Sequence, residues 1–133
     1  MKTPAILIIL SPNALDKYLV LPNSTPIILG RIYLTWPAGG THEELQVEQD
    51  QHIQEISSLI GKTLDRYQPE SWGLASEEPY ADELVMNLGF HHKLTMFKFL
   101  RIPGKTVNIG NVVDVFSCEI PEGESSGALK IAG

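Results

Sequence analysis

The sequence predicts an α+β fold: a single, mainly antiparallel sheet of four to five strands, with one long and one or two short helices on one face. Three stretches carry that expectation. "AILIIL" (residues 5–10) is a continuous Ile-rich apolar run, as in a strand buried on both faces. "THEELQVEQDQHIQEISSLIGKTLDRY" (residues 41–67) places Leu45, Ile53, Ile56, Ile60, Leu64 and Tyr67 on one helical stripe, at about 100° per residue. "LTMFKFLRI" (residues 94–102) is apolar except for its ends and Lys98, which reads as a strand.

Taken in order, the first strand is followed by Ser11 and Pro12, an N-cap with proline at the first helical position, so residues 12–19 are expected to form a short helix or turn. "LPNSTP" (21–26) is a loop, because its prolines lack donors and Asn-Ser-Thr favours turns. Residues 27–36 form a second strand, ended by "PAGG". Thr41 and Glu44 make a capping box that starts the long helix. At about 1.5 Å per residue that helix spans roughly 40 Å, more than the width of a domain whose radius of gyration is about 14 Å. It must therefore bend near Gly61 or extend its polar first turns past the core.

Residues 68–79 are expected as a loop holding Trp72. Pro79 and Gly89 bracket a short helix with Leu84, Val85 and Leu88 inward and Glu77, Glu78, Asp82 and Glu83 in solvent. After the strand over 94–102, "PGK" turns the chain into a long strand, "TVNIGNVVDVFSCEI", broken or bulged at Gly110. Residues 1–120 form one globular domain and 121–133 a C-terminal tail or edge strand. A right-handed parallel crossover between the second and third strands suits the long connection between them.

Composition narrows the function classes. The 133 residues are 43% hydrophobic and 20% charged, enough for a real core without metal or disulfide. Ten Lys and Arg against sixteen Asp and Glu give a net charge of −6, with the basic residues scattered singly, so neither nucleic acid nor an anionic membrane is an expected partner. The N-terminal apolar run, interrupted by Pro4 and Pro12, is too short for a signal sequence or a membrane span, which points to the cytoplasm. The lone cysteine, Cys118, sits in an apolar run and reads as a buried thiol.

The chemistry-bearing residues form no recognisable catalytic or metal set. His52 has Glu48 and Glu55 about one helical turn away on either side, but no second group of ligands follows elsewhere, so no metal and no cofactor are expected. His91 and His92, read as extended, point to opposite faces and cannot chelate one ion. Gly61-Lys62-Thr63 lies inside a helix and lacks the earlier glycine of a phosphate loop. "WPAGGTHEE" could present amides to an anion, but Glu43 and Glu44 already occupy the helix dipole.

Two stretches bear short resemblances to known families. "ADELVMNLGFHHKLTMFKFL" resembles the helix, turn and final strand of small acetyltransferases, although their glycine-rich pyrophosphate loop is absent. "VNIGNVVDVFSCEIPEGESSGALKIA" is similar to the closing strands of fasciclin-type domains, whose earlier signatures are absent. The sequence is assigned to neither.

By elimination, the expectation is a small acidic accessory or adaptor protein that acts by contact with a protein partner rather than by catalysis. The alternative is a ligand-binding or enzymatic α+β domain whose pocket forms only on folding. The contact residues expected are Glu43, Val47, Gln51 and Gln54 on the overhanging helix, with Trp36 and Trp72 at element ends. Val47 lies about 160° around the helix from Leu45, so both cannot face one core.

Overall fold

In the computed structural model, which describes residues 1–35 and 41–117, one five-stranded sheet is ordered β3-β2-β1-β4-β5. Its strands are β1 (Ala5–Ser11), β2 (Ala14–Val20), β3 (Ile27–Tyr33), β4 (Ser71–Ala75) and β5 (Met96–Leu100). The helices are α1 (His42–Tyr67), α2 (Ala81–Met86), α3 (Phe90–Thr95) and α4 (Val112–Ser117), with a 3-10 turn at Gly104–Thr106.

The α+β class holds, but the sheet is mixed rather than mainly antiparallel. β1 pairs antiparallel with β2, and β2 with β3, whereas β4 runs parallel to both β1 and β5. The expected crossover between the strands at 27–36 and 94–102 does not pair them; β3 and β5 occupy opposite edges. One strand missed in sequence is β4. "SWGLA" is five residues long and contains glycine, so it reads as loop, yet every residue in it is buried. Its backbone is secured on both sides by pairing with β1 and β5 rather than by its own propensity.

Nor do the helices cover one face only. Ile6, Ile8 and Leu10 join Leu15, Trp72 and Leu74 beneath α1 and α2. The alternate residues of β1, Ala5, Leu7 and Ile9, join Tyr18, Val20 and Leu100 beneath Val112 and Phe116 of α4. A continuous apolar strand demands cover on both sides, because period-two alternation sends half its side chains each way.

Two local readings change for related reasons. Residues 12–19 are not helical: Pro12 and Asn13 form the turn of a β1–β2 hairpin, with Ser11 paired to Ala14. In β2, Leu15 and Leu19 face one core while Tyr18 and Val20 face the other, a strand period that outweighs the Ser-Pro cap signal. The expected long strand after "PGK" is also absent up to residue 117, where α4 lies instead. Asn108 Oδ1 accepts the amides of Gly110 and Asn111 at 2.8 and 3.2 Å, and Asn111 Oδ1 accepts the Asn108 amide at 2.8 Å. Those bonds turn the chain into a helix whose Val112 and Phe116, four apart, both go inward. Cys118 and residues 121–133 lie outside the described residues.

The capping box of α1 forms as expected: the Glu44 amide donates to Thr41 Oγ1 at 3.1 Å, and the Thr41 amide donates to Glu44 Oε1 at 3.0 Å. The helix is continuous through Gly61, and no residue from His42 to His52 is buried, so its first turns overhang the core. Gly89 does not end α2; it sits at the start of α3, which begins at Phe90. His91 and His92 are accordingly helical, not extended.

Candidate functional site

The second half of α1 and the α2–α3 corner bring exposed apolar side chains beside a groove with polar walls. α3 is tied down from beneath rather than by its own burial: Trp72 Nε1 donates to the His92 carbonyl at 2.7 Å, and none of the helix's residues is buried. That tether leaves Phe90 and Leu94, one helical turn apart, at 76% and 67% exposure, and Met86 at the end of α2 at 70%. Large apolar side chains scattered singly are ordinary, but three within nine residues of one corner are not.

Beside this corner, His92 reaches back to α1, and its Nε2 lies 3.1 Å from Asp65 Oδ1. The imidazole packs beside Gly61, where an added Cβ would lie 4.0 Å from the ring, an ordinary van der Waals contact. The Asp65–His92 pair separates two shallow grooves. One, of about 470 Å³, includes Gln54, Ser58, Lys62, Asn87 and Gly89 in its walls. The other, of about 440 Å³, is walled by Leu64, Gln68, Glu70, His91 and Thr95, among others. An imidazole held by a carboxylate can donate or accept a proton, but among the described residues no nucleophile is bonded to it.

The residues expected from sequence divide as follows. Glu43, Val47, Gln51 and Gln54 are exposed on α1, Val47 at 56%. They fall on one stripe, and Gln54 at its end walls the larger groove next to Asn87 and Gly89. Trp72 does not belong with them: it is fully buried beneath α1, so its expected contact role is corrected to that of a core side chain. Trp36 and the "PAGG" segment lie outside the described residues. His52 Nδ1 lies 3.5 Å from Glu55 Oε1, and no group of three or more metal-ligating side chains gathers among the described residues. Gly61, Lys62 and Thr63 lie within α1. Met86, Phe90 and Leu94 were missed because "MNLGF" reads as a helix end and "LTMF" as a buried strand.

No protein-family model matches the chain, and no curated protein sequence matches it significantly. Among solved structures, the fold is similar to part of Saccharomyces cerevisiae Dom34, a translation termination-like factor involved in RNA quality control pathways and interacting with Hbs1. The match has a TM-score of 0.56 at 14% identity and covers 89% of this chain. The chain spans 33% of the Dom34 chain, and at that identity the likeness is one of fold.

No helix among the described residues is long and apolar enough to cross a membrane.

Proposed function

We propose that this chain is a cytoplasmic, non-catalytic accessory domain that works by contact with a protein partner through the α2–α3 corner and the adjoining α1 stripe. The observation that carries the reading is the exposure of Met86, Phe90 and Leu94 at one corner. Bringing such side chains out of water against a partner would contribute about 1.5–3 kcal/mol each when fully covered, the scale of interface hot spots. Val47 extends the same surface along α1, and the polar residues around it, Glu43, Gln51 and Gln54, suit an interface rim. A narrower form is favoured by the likeness to Dom34, itself a factor with a protein partner: the partner of this chain belongs to a translation or RNA quality control assembly.

The test is affinity capture of tagged wild type beside Leu94→Asp and Val47→Asp. A stoichiometric protein should be retained by wild type and lost from Leu94→Asp, with the melting temperature of both variants near that of wild type. Equal capture by all three would sink the proposal, and cosedimentation of wild type with ribosomes is the check on its narrower form.

A small-ligand reading is favoured by one feature, the Asp65–His92 pair between two grooves. A copurifying metabolite that His92→Phe loses, in place of any protein, would put that reading first.

A further inference from the structure

One groove opposes the overall charge of the molecule. Although the chain carries −6, Lys17, Lys62 and Arg66 all line a recess of about 250 Å³ between the outer strands and the second half of α1. None of its lining residues is acidic. Lys62 and Arg66 stand one turn apart on α1, a like-charge spacing that mildly opposes the helix. Lys17 comes from β2, on the side that Leu15 and Leu19 present to α1. In sequence these three are isolated cations; the fold collects them.

Their partners are neutral. Lys17 Nζ donates to Thr63 Oγ1 at 3.5 Å, and the Thr63 hydroxyl in turn donates to the Leu59 carbonyl at 3.0 Å, which fixes its oxygen towards the lysine. The Arg66 guanidinium sits 5.6 Å from the Tyr67 ring centre. None of the three cations forms an ion pair among the described residues, whereas Arg31 and Arg101 each have a carboxylate. Lys17 is half-buried, so solvent screens its charge less than it screens that of an exposed lysine.

We propose that this groove binds the phosphate group of a small phosphomonoester. A phosphate monoester carries about −1.5 to −2 charges at pH 7 and three acceptor oxygens, which matches three converging cations better than a monoanionic carboxylate does. Arg66 offers a planar fork to two oxygens, and the lysines act as point charges. The volume lies below the roughly 300–1,000 Å³ of drug-sized ligand sites, so it suits a phosphate with a short organic stem, not a whole nucleotide. Leu29, Ile32 and Leu59 supply an apolar wall for that stem. No glycine loop takes part: Lys62 reaches the groove from mid-helix, which is a geometry distinct from a phosphate loop.

The experiment is a titration of the full chain, followed by amide NMR, with inorganic phosphate, glycerol 3-phosphate and a short oligoribonucleotide lacking a terminal phosphate. Saturable one-site shifts at Lys17, Lys62, Thr63 and Arg66 are expected from both phosphates, with glycerol 3-phosphate the tighter. Lys62→Gln and Arg66→Gln, both at exposed positions, should each weaken that binding roughly tenfold with the melting temperature unchanged. Shifts that never saturate, or that persist undiminished in both variants, overturn the proposal. So does an oligoribonucleotide that binds the same residues more tightly than glycerol 3-phosphate, since the groove would then read a phosphodiester backbone. Lys62 also walls the larger groove beside the α2–α3 corner, whereas Arg66 lines neither groove there, so Arg66→Gln separates the two proposals: its failure to weaken phosphate binding leaves the protein-contact reading standing, and equal capture by Leu94→Asp leaves the phosphate groove standing.

Discussion

Gly73 shows how one side chain, or its lack, sets the middle of the sheet. A Cβ there would lie 2.7 and 2.8 Å from two atoms of the Phe116 ring and 3.2 Å from Phe97. The glycine is therefore needed for close approach of α4, not for backbone freedom. Gly73→Ala should cost about 1–3 kcal/mol, the usual toll of overpacking, read as a lowered denaturation midpoint with unchanged slope. Phe116→Leu in the Gly73→Ala background should recover part of it; no recovery would place the strain elsewhere. Trp72, on the same strand, points the other way and joins the sheet to α3 through its indole N–H. Trp72→Phe keeps most of the volume but removes the 2.7 Å bond to the His92 carbonyl, which keeps the Thr95 hydroxyl at 3.2 Å, so a loss of about 0.5–1.5 kcal/mol is expected, with amide exchange in α3 rising most.

At the level of elements, α1 is strong where it is buried and weak where it overhangs. Thr41 and Glu44 hold its exposed end, and Thr41's backbone amide and hydroxyl keep the Glu44 carboxyl below its ordinary value. A carboxyl depressed by folding stabilises the folded form above its unfolded pKa, and that contribution disappears as pH falls through the lower, folded value. Cα chemical shifts of residues 43–47 should thus move towards coil on acidification through and below the usual glutamate range. In Glu44→Gln, which keeps the cap without the titration, that movement should be lost. Thr41→Ala should speed amide exchange over the first turns by roughly fivefold, the equivalent of about 1 kcal/mol of cap. Global stability should hardly change, since no core side chain of α1 precedes Ile53. Elsewhere the edge strand β3 is pinned by a two-point pair: Arg31 Nε and Nη2 lie 2.5 and 3.0 Å from the two Asp16 carboxylate oxygens, across directly paired residues.

For the whole molecule, stability should fall from the sheet centre to its edge. β1 has neighbours on both sides and cover on both faces, whereas β3 has one neighbour among the described residues and exposes Ile27 and Ile28. Ile8→Ala should lose about 2–5 kcal/mol, while Ile28→Thr should stay within about 0.5 kcal/mol, both by chemical denaturation. Similar losses at the two sites would contradict this layering. The gradient also bears on function, because the surfaces proposed for contact and for phosphate both lie on elements outside the most buried strand.

What could be read from residues alone was short-range. The β1 run, the Thr41 cap, the stripe from Ile53 to Leu64 and the inward side of α2 rest on interactions within a turn or on simple alternation, and each is present. The exposed stripe containing Val47 was legible for the same reason. Tertiary structure decided the rest. Ser71–Ala75 is a strand because β1 and β5 supply its backbone partners, and residues 112–117 are a helix because Asn108 and Asn111 turn the chain and Phe116 fits over Gly73. The gathering of Lys17 with Lys62 and Arg66 joins positions 45 and 49 residues apart. The sequence by itself determined the buried run of β1, the apolar stripe of α1 and where that helix begins; only the fold decided that Ser71–Ala75 is buried and which distant segments share a sheet, a face or a groove. Those choices depend on contacts between remote residues, whose free energy no local pattern carries.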